Sequence, residues 1–262
     1  MSTDPWRVLT EKQRTVARAF LAARDAERTH LVVYLSGAHA YGFPSPDSDL
    51  DLKCVHVAPT RDLVGLTPPP DSAGDRIEVI DGVELDYGSN ELGPVLRGAI
   101  KGNGNFLERI LGELALGASD LLASAREVVK PLLSRRCAKH YGGFATSQLK
   151  LFDEKPSAKR ALYVLRTAAT GRCVLARGEV ITDVAALRDF VPPEIDELIA
   201  IKQQGERTQL DAAQVATWRE RLVAAIAAID AAWPTSVLPP DAPDSAIAAV
   251  DAWLREVRRA HW

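Results

Sequence analysis

Cysteine is scarce in this chain: Cys54, Cys137 and Cys173 lie far apart among 262 residues, are odd in number and form no CxxC pair. That spacing disfavours a disulfide framework or a structural zinc site and fits a reducing, cytoplasmic setting. No run of about 18 apolar residues is available to span a bilayer. The opening MSTDPWRVLTEKQRTVARAF lacks the apolar centre of a signal peptide, so neither secretion nor a membrane partner is expected. Strong charge of one sign is also lacking: a formal net charge of -3 leaves no global field for nucleic acid, only room for a local basic cleft. There is no G-x-x-x-x-G-K-[ST], HExxH, G-x-S-x-G or kinase-like set. His30, His39, His56, His140 and His261 show no metal-ligand spacing, and His39 is expected as an exposed imidazole.

What remains is an ordinary globular composition, 47% hydrophobic and 26% charged. Apolar positions at Val16, Ala19, Phe20 and Ala23 predict a helix from Glu11 to Arg28, with Thr10 as its cap. LVVYL at 31 to 35 reads as a buried strand entering a turn at Ser36-Gly37. Asp51 to Val57 and VELDY at 83 to 87, after Asp81-Gly82, read as two more strands. From about Gly88 onward the pattern is helical without a convincing strand: 90–101, 104–115, 118–134, 137–152, 157–177, 182–190, 193–203, 211–232 and 244–260. A Pro-rich connector at 234 to 243 precedes the last helix, whose stripe of Ile247, Val250, Trp253, Leu254 and Val257 suits packing on its own chain or on a neighbour's. A monomer is the simpler expectation. The fold class is α+β, with three units expected at 1–115, 116–233 and 234–262.

The densest chemistry is PDSDLD, three aspartates within five positions. On a strand, alternate side chains share a face, so Asp49 and Asp51 project together while Leu50 and Leu52 enter the core. Two ionised carboxylates side by side repel, and a raised pKa or a cation between them relieves it. All-oxygen donors of this kind suit magnesium. An Asx-rich turn that merely caps a strand is an equal alternative when PDSDLD is taken alone. Asp86, set between Leu85 and Tyr87 in an apolar strand, and the Ser36-Gly37 turn, which can present backbone N–H groups to an anion, tilt the balance toward a site.

Strand, Gly turn, D-x-D on a second strand and a lone Asp on a third resemble the DNA polymerase β-type nucleotidyltransferase superfamily. GAHAYGFPSPDSDLD is similar to the G-S-x-A-Y-G-x-x-x-x-x-S-D-x-D of bacterial predicted nucleotidyltransferases associated with RNA repair, with Ala40, Tyr41, Gly42, Ser48, Asp49 and Asp51 in register. KGNGNFLERI, residues 101 to 110, resembles the K-G-N-P-N-x-x-E of that family, and later helical segments extend the likeness to about residue 205. Two residues depart from the pattern: Ala38 stands where relatives carry a phosphate-binding Ser, and Gly104 replaces the Pro.

The resemblance implies a mixed nucleotidyltransferase-type sheet with flanking helices and an α-helical C-terminal region. It implies two magnesium ions held by Asp49, Asp51 and Asp86, with ATP or another nucleoside triphosphate as substrate. A nucleoside monophosphate would pass to a hydroxyl, with an RNA end, particularly of tRNA, as the suggested acceptor. Ser36, Gly37 and Ser48 would meet the phosphates. Lys159, Tyr163 and Arg166, at i, i+4 and i+7 of one helix, offer cations and a ring on one face, with Arg160 as competitor and a solvated helix face as the bland alternative. Lys101, Asn103, Asn105, Glu108 and His140 are candidates for the acceptor or cleft, with Tyr141 and Gln148 nearby. A helix cap at Asn103 or Asn105 is an equal reading. The alternative function is a weakly active or inactive nucleotide-binding regulatory or toxin-antitoxin protein of the same fold, which Ala38 favours and the three aspartates disfavour.

Overall fold

The computed structural model describes residues 4–205 and 209–262, without the side chains of residues 75 and 76. A 3-10 turn at Pro5–Val8 leads to α1 (Glu11–Asp25). Thr10 starts that helix through a capping box: its hydroxyl accepts from the Gln13 N–H, and the Gln13 side chain accepts from the Thr10 N–H. There follow β1 (Thr29–Leu35), the short α2 (Gly37–Tyr41), β2 (Leu50–Val57), α3 (Thr60–Leu63), β3 (Ser72–Ile80) and β4 (Val83–Glu91). After them come α4 (Leu92–Ile100), α5 (Gly104–Leu111), β5 (Ala115–Ala118), α6 (Leu121–Val129), α7 (Cys137–Glu154) and α8 (Ala158–Arg177). The chain ends with α9 (Ile195–Gln203), α10 (Ala212–Ala232) and α11 (Asp244–Ala260).

The strands form one mixed sheet in the order β3-β4-β2-β1-β5, in which β2 and β4 are parallel and the other neighbours antiparallel. Side chains alternate across it. Val33, Leu35, Leu52 and Tyr87 pack with Val16 and Phe20 of α1 on one face. Val32, Tyr34 and Val55 join the helices on the other, in a cluster that runs through Leu96, Ile110, Tyr141, Leu165 and Leu198 to Val257. This is the expected α+β class with a helical C-terminal region.

Several expectations are corrected. β3 and β5 lie outside the three strands that the sequence predicts, and β4 runs on to Glu91, so strand structure continues past Gly88. β5 is Ala-Leu-Gly-Ala, with no β-branched residue to mark it; its pairing with β1 makes it a strand. β3 joins β4 through Asp81 and Gly82, both at positive φ, a two-residue hairpin turn suited to Asp-Gly. Residues 182–190 are not a helix: the Val184 N–H is drawn to the carbonyl of Tyr41, Asp183 caps Ala185, and only Arg188–Phe190 closes a 3-10 turn. The 118–134 segment breaks after Val129 into a 3-10 turn carrying Pro131, which lacks the N–H a continuing helix needs.

The last helix packs on its own chain. Arg258 Nη2 lies 2.6 Å from Glu91 Oε1, and Trp253 Nε1 donates to Ser124 Oγ at 3.1 Å. The three cysteines are buried free thiols, and no helix among the described residues is long and apolar enough to cross a membrane.

Candidate active site

β1 ends where α2 begins, and that corner crosses the start of β2. The Ser36 N–H donates to the Asp51 carbonyl at 2.9 Å, and Gly37 adopts φ +65. A Cβ at Gly37 would fall 1.8 Å from Asp51 Oδ2, so only glycine lets the backbone pass against that carboxylate. The parallel β2–β4 register sets Asp51 directly beside Asp86. Asp49 stands just before β2, partly exposed like the other two. Burial first, then the charges of Asp49 and Asp86, push Asp51 up to about 6, with Lys53 pulling the other way. Three carboxylates therefore share one field at the mouth of the sheet.

Two lysines meet them. Lys53, two residues beyond Asp51 and so on the same face, places Nζ 2.6 Å from Asp86 Oδ1. Its role was missed in the sequence, although the i+2 spacing from Asp51 was the available signal. Lys159, at the start of α8, brings Nζ within 4.0 Å of Asp49 Oδ1 and 6.0 Å of the Tyr163 ring. Tyr163 stands edge-on to Tyr41 at 5.5 Å and Phe43 at 5.9 Å between ring centres, which anchors this face of α8 on the segment following Gly37. Lys159 and Tyr163 are thus brought to the aspartates. Arg160 instead donates to carbonyls at the end of α7, Leu151 and Lys155.

Other expected site residues are placed elsewhere. Arg166 is 2% exposed, with Nη1 2.8 Å from Glu108 Oε1 and its guanidinium 3.7 Å above the Tyr41 ring. Neither Arg166 nor Glu108 faces solvent: a phosphate cation and a cleft acid were expected, and a buried ion pair is found. Ser48 is 5% exposed, its hydroxyl accepting from the Ser45 N–H inside the turn, so it does not open toward a nucleotide. Ser36 Oγ lies 3.2 Å from Tyr41 Oη. Ala38 is 4% exposed. His39 is buried rather than exposed.

Asn103 caps α5, accepting from the Asn105 N–H at 3.1 Å, which is the cap alternative; Lys101 and Asn105 are exposed beside it. His140 is half-buried, stacked on Phe144 and shifted toward the neutral form by burial and by Arg166. Tyr141 is buried rather than lining a cleft. A Cβ at Gly104 would come 2.6 Å from His140 Cδ2 and 2.7 Å from Tyr141 Cζ, so these rings exclude the proline of the resembled motif at this position.

The model of the RNA repair pathway DNA polymerase beta family, RlaP, matches residues 13–256. The chain belongs to this family. RlaP membership makes it a nucleotidyltransferase-type protein. The chain is also similar to an uncharacterized protein of Methanocaldococcus jannaschii, 28% identical over 160 residues, a match covering 60% of this chain and 65% of that relative's length. Among solved structures it is similar to a nucleotidyltransferase-like protein from Exiguobacterium sibiricum 255-15, at 10% identity and TM-score 0.35, covering 95% of this chain and 80% of that one.

The donor chemistry suits a hard divalent cation. Asp49 and Asp51 supply oxygen only, and Asp51 is raised first by burial and then by the charges of Asp49 and Asp86, a repulsion that a cation would relieve. Among the described residues no three acidic, imidazole or thiolate groups close on one point, and Asp86 is engaged by Lys53.

Proposed function

We propose that this RlaP protein moves a nucleoside monophosphate from a nucleoside triphosphate to a hydroxyl acceptor, an RNA end being the acceptor that the family description favours. The observation that carries the reading is the union of Asp49, Asp51 and Asp86, where the central strand β2 begins beside β4, with Lys159 and Tyr163 from a distant helix. Asp49 and Asp51 would hold magnesium, with Asp86 completing a second site. Such ions, when bound, neutralise phosphate charge and activate the attacking oxygen.

The chain's own groups account for the rest. Lys159 supplies positive charge for phosphate, and Tyr163 offers a ring edge to base or ribose. The acceptor oxygen attacks the α-phosphorus, the bond to the bridging oxygen breaks, and pyrophosphate departs. Asp86, oriented by Lys53, takes the acceptor's proton. Incubation with each α-labelled triphosphate, magnesium and total cellular RNA tests this: label should appear on RNA. Label on protein would change the acceptor, and label on neither would remove the transferase reading.

One observation favours a second reading, nucleotide binding with little transfer, as in a regulatory protein. The turn has no hydroxyl at Ala38, and the nearest, Ser36, is engaged with Tyr41. Nucleotide binding without label transfer would select it.

A further inference from the structure

α9 buries Ile195 and Leu198, and the next position on that stripe is Lys202. Its side chain is 1% exposed. Nζ donates to Ser45 Oγ at 2.5 Å and to Ser48 Oγ at 3.1 Å, across more than 150 residues of sequence. The Ser45 hydroxyl passes the polarity on, donating to Asp47 Oδ1 at 2.7 Å, while the Ser45 N–H donates to Ser48 Oγ at 2.9 Å. On the other side, Gln13 of α1 donates to the Ser48 carbonyl at 3.3 Å. The turn that immediately precedes Asp49 is therefore held by side chains from both flanking helical regions.

A buried ammonium is costly unless paired, and an apolar side chain of the same length would serve stability as well or better. A methionine would, however, remove the two hydrogen bonds that tie α9 to the Ser45 and Ser48 hydroxyls. We propose that Lys202 is a positioning residue: it locks the Ser45–Ser48 turn, and through that turn sets where Asp49 stands relative to Asp51. The Ser45 hydroxyl links the ammonium to the Asp47 carboxylate. Asp47 thus has a part beyond that of a turn residue, and Ser48 acts from behind the site. The consequence for metal binding rests on the proposed function, because it needs Asp49 and Asp51 to hold a divalent cation.

The test compares the full chain with Lys202→Met, Lys202→Arg and Ser48→Ala. Amide exchange of residues 45–52 reads the turn without reference to activity. It should quicken at least about tenfold in Lys202→Met, less in Ser48→Ala, and return toward the original rate in Lys202→Arg. Manganese titration then reads the site: loss of a group that orients a ligand costs on the order of tenfold in metal affinity, and the metal concentration for half-maximal transfer should rise by the same factor. Unchanged exchange in Lys202→Met overturns the proposal. So does quickened exchange with unchanged manganese affinity, which would make the lysine structural only. If the original chain binds no manganese, the metal reading fails by itself, and the exchange data still decide whether Lys202 locks the turn. Should Lys202→Met not fold, Ser48→Ala decides in its place.

Discussion

Asp51 is a carboxylate that the fold holds at a disadvantage, and replacing it by Asn should stabilise the metal-free chain. Burial and the charges of Asp49 and Asp86 raise it from 3.8 to about 6. An acid whose value rises on folding is fully compatible with the fold below its unfolded value and loses that advantage as pH climbs through its folded one. Two units at about 1.4 kcal/mol each amount to roughly 3 kcal/mol above pH 6, an upper figure because water in a partly open site screens the charges. In a domain of this size that corresponds to roughly 5 to 10 °C of melting temperature. The assay is thermal unfolding in EDTA of the original chain and Asp51→Asn, from pH 3.5 to 8. The variant should melt higher at pH 7.5, and the difference should shrink between pH 6 and 4. His56, buried and pushed down to about 4, destabilises both proteins alike as the pH falls toward that value, so the comparison cancels it. An equal or lower melting temperature at pH 7.5 would refute the reasoning. With saturating manganese the order should reverse, since a cation that binds only the native carboxylate adds its binding energy to the fold.

Gly37→Ala should lower stability by about 1 to 3 kcal/mol and weaken manganese binding, because the added Cβ displaces the Asp51 carboxylate from a positive-φ corner; melting and metal titration check both. Glu108→Gln leaves Arg166 buried without its anion and should cost about 3 to 5 kcal/mol in urea unfolding. Tyr141→Phe should be neutral or stabilising by about 1 kcal/mol, since the buried hydroxyl has no hydrogen-bond partner among the described residues. Ala38→Ser should lower the KM for triphosphate with little change in stability if the turn meets the phosphates; an unchanged KM in steady-state transfer would detach it from the nucleotide.

The acidic strand was legible because its chemistry is local. Alternation predicts a shared face for Asp49 and Asp51, with Asp49 one residue ahead of β2, and the Gly-x-x-x-Tyr-Gly corner lies next to them in the chain. Lys159 and Tyr163 share a helix face through the regular pitch of α8. Arg166 shares that pitch and still failed to reach solvent, because periodicity states which side a residue takes and not how deep that side is buried. Glu108, spaced like a polar cleft residue, answers it from another helix. The fifth strand has no sequence mark, since a four-residue edge becomes a strand only when β1 is there to pair with it.

By itself, then, the amino-acid order determined the α+β class, the capping of the first helix, the face of the sheet that carries the aspartates and the resemblance that points to nucleotidyl transfer. Tertiary structure alone decided which charges those aspartates meet. Lys53 reaches Asp86 across two parallel strands, Lys159 reaches Asp49 from α8, and Lys202 holds the turn from a helix more than 150 residues away. Hydrogen bonds and burial act over a few ångströms in space, and separation along the chain does not enter them.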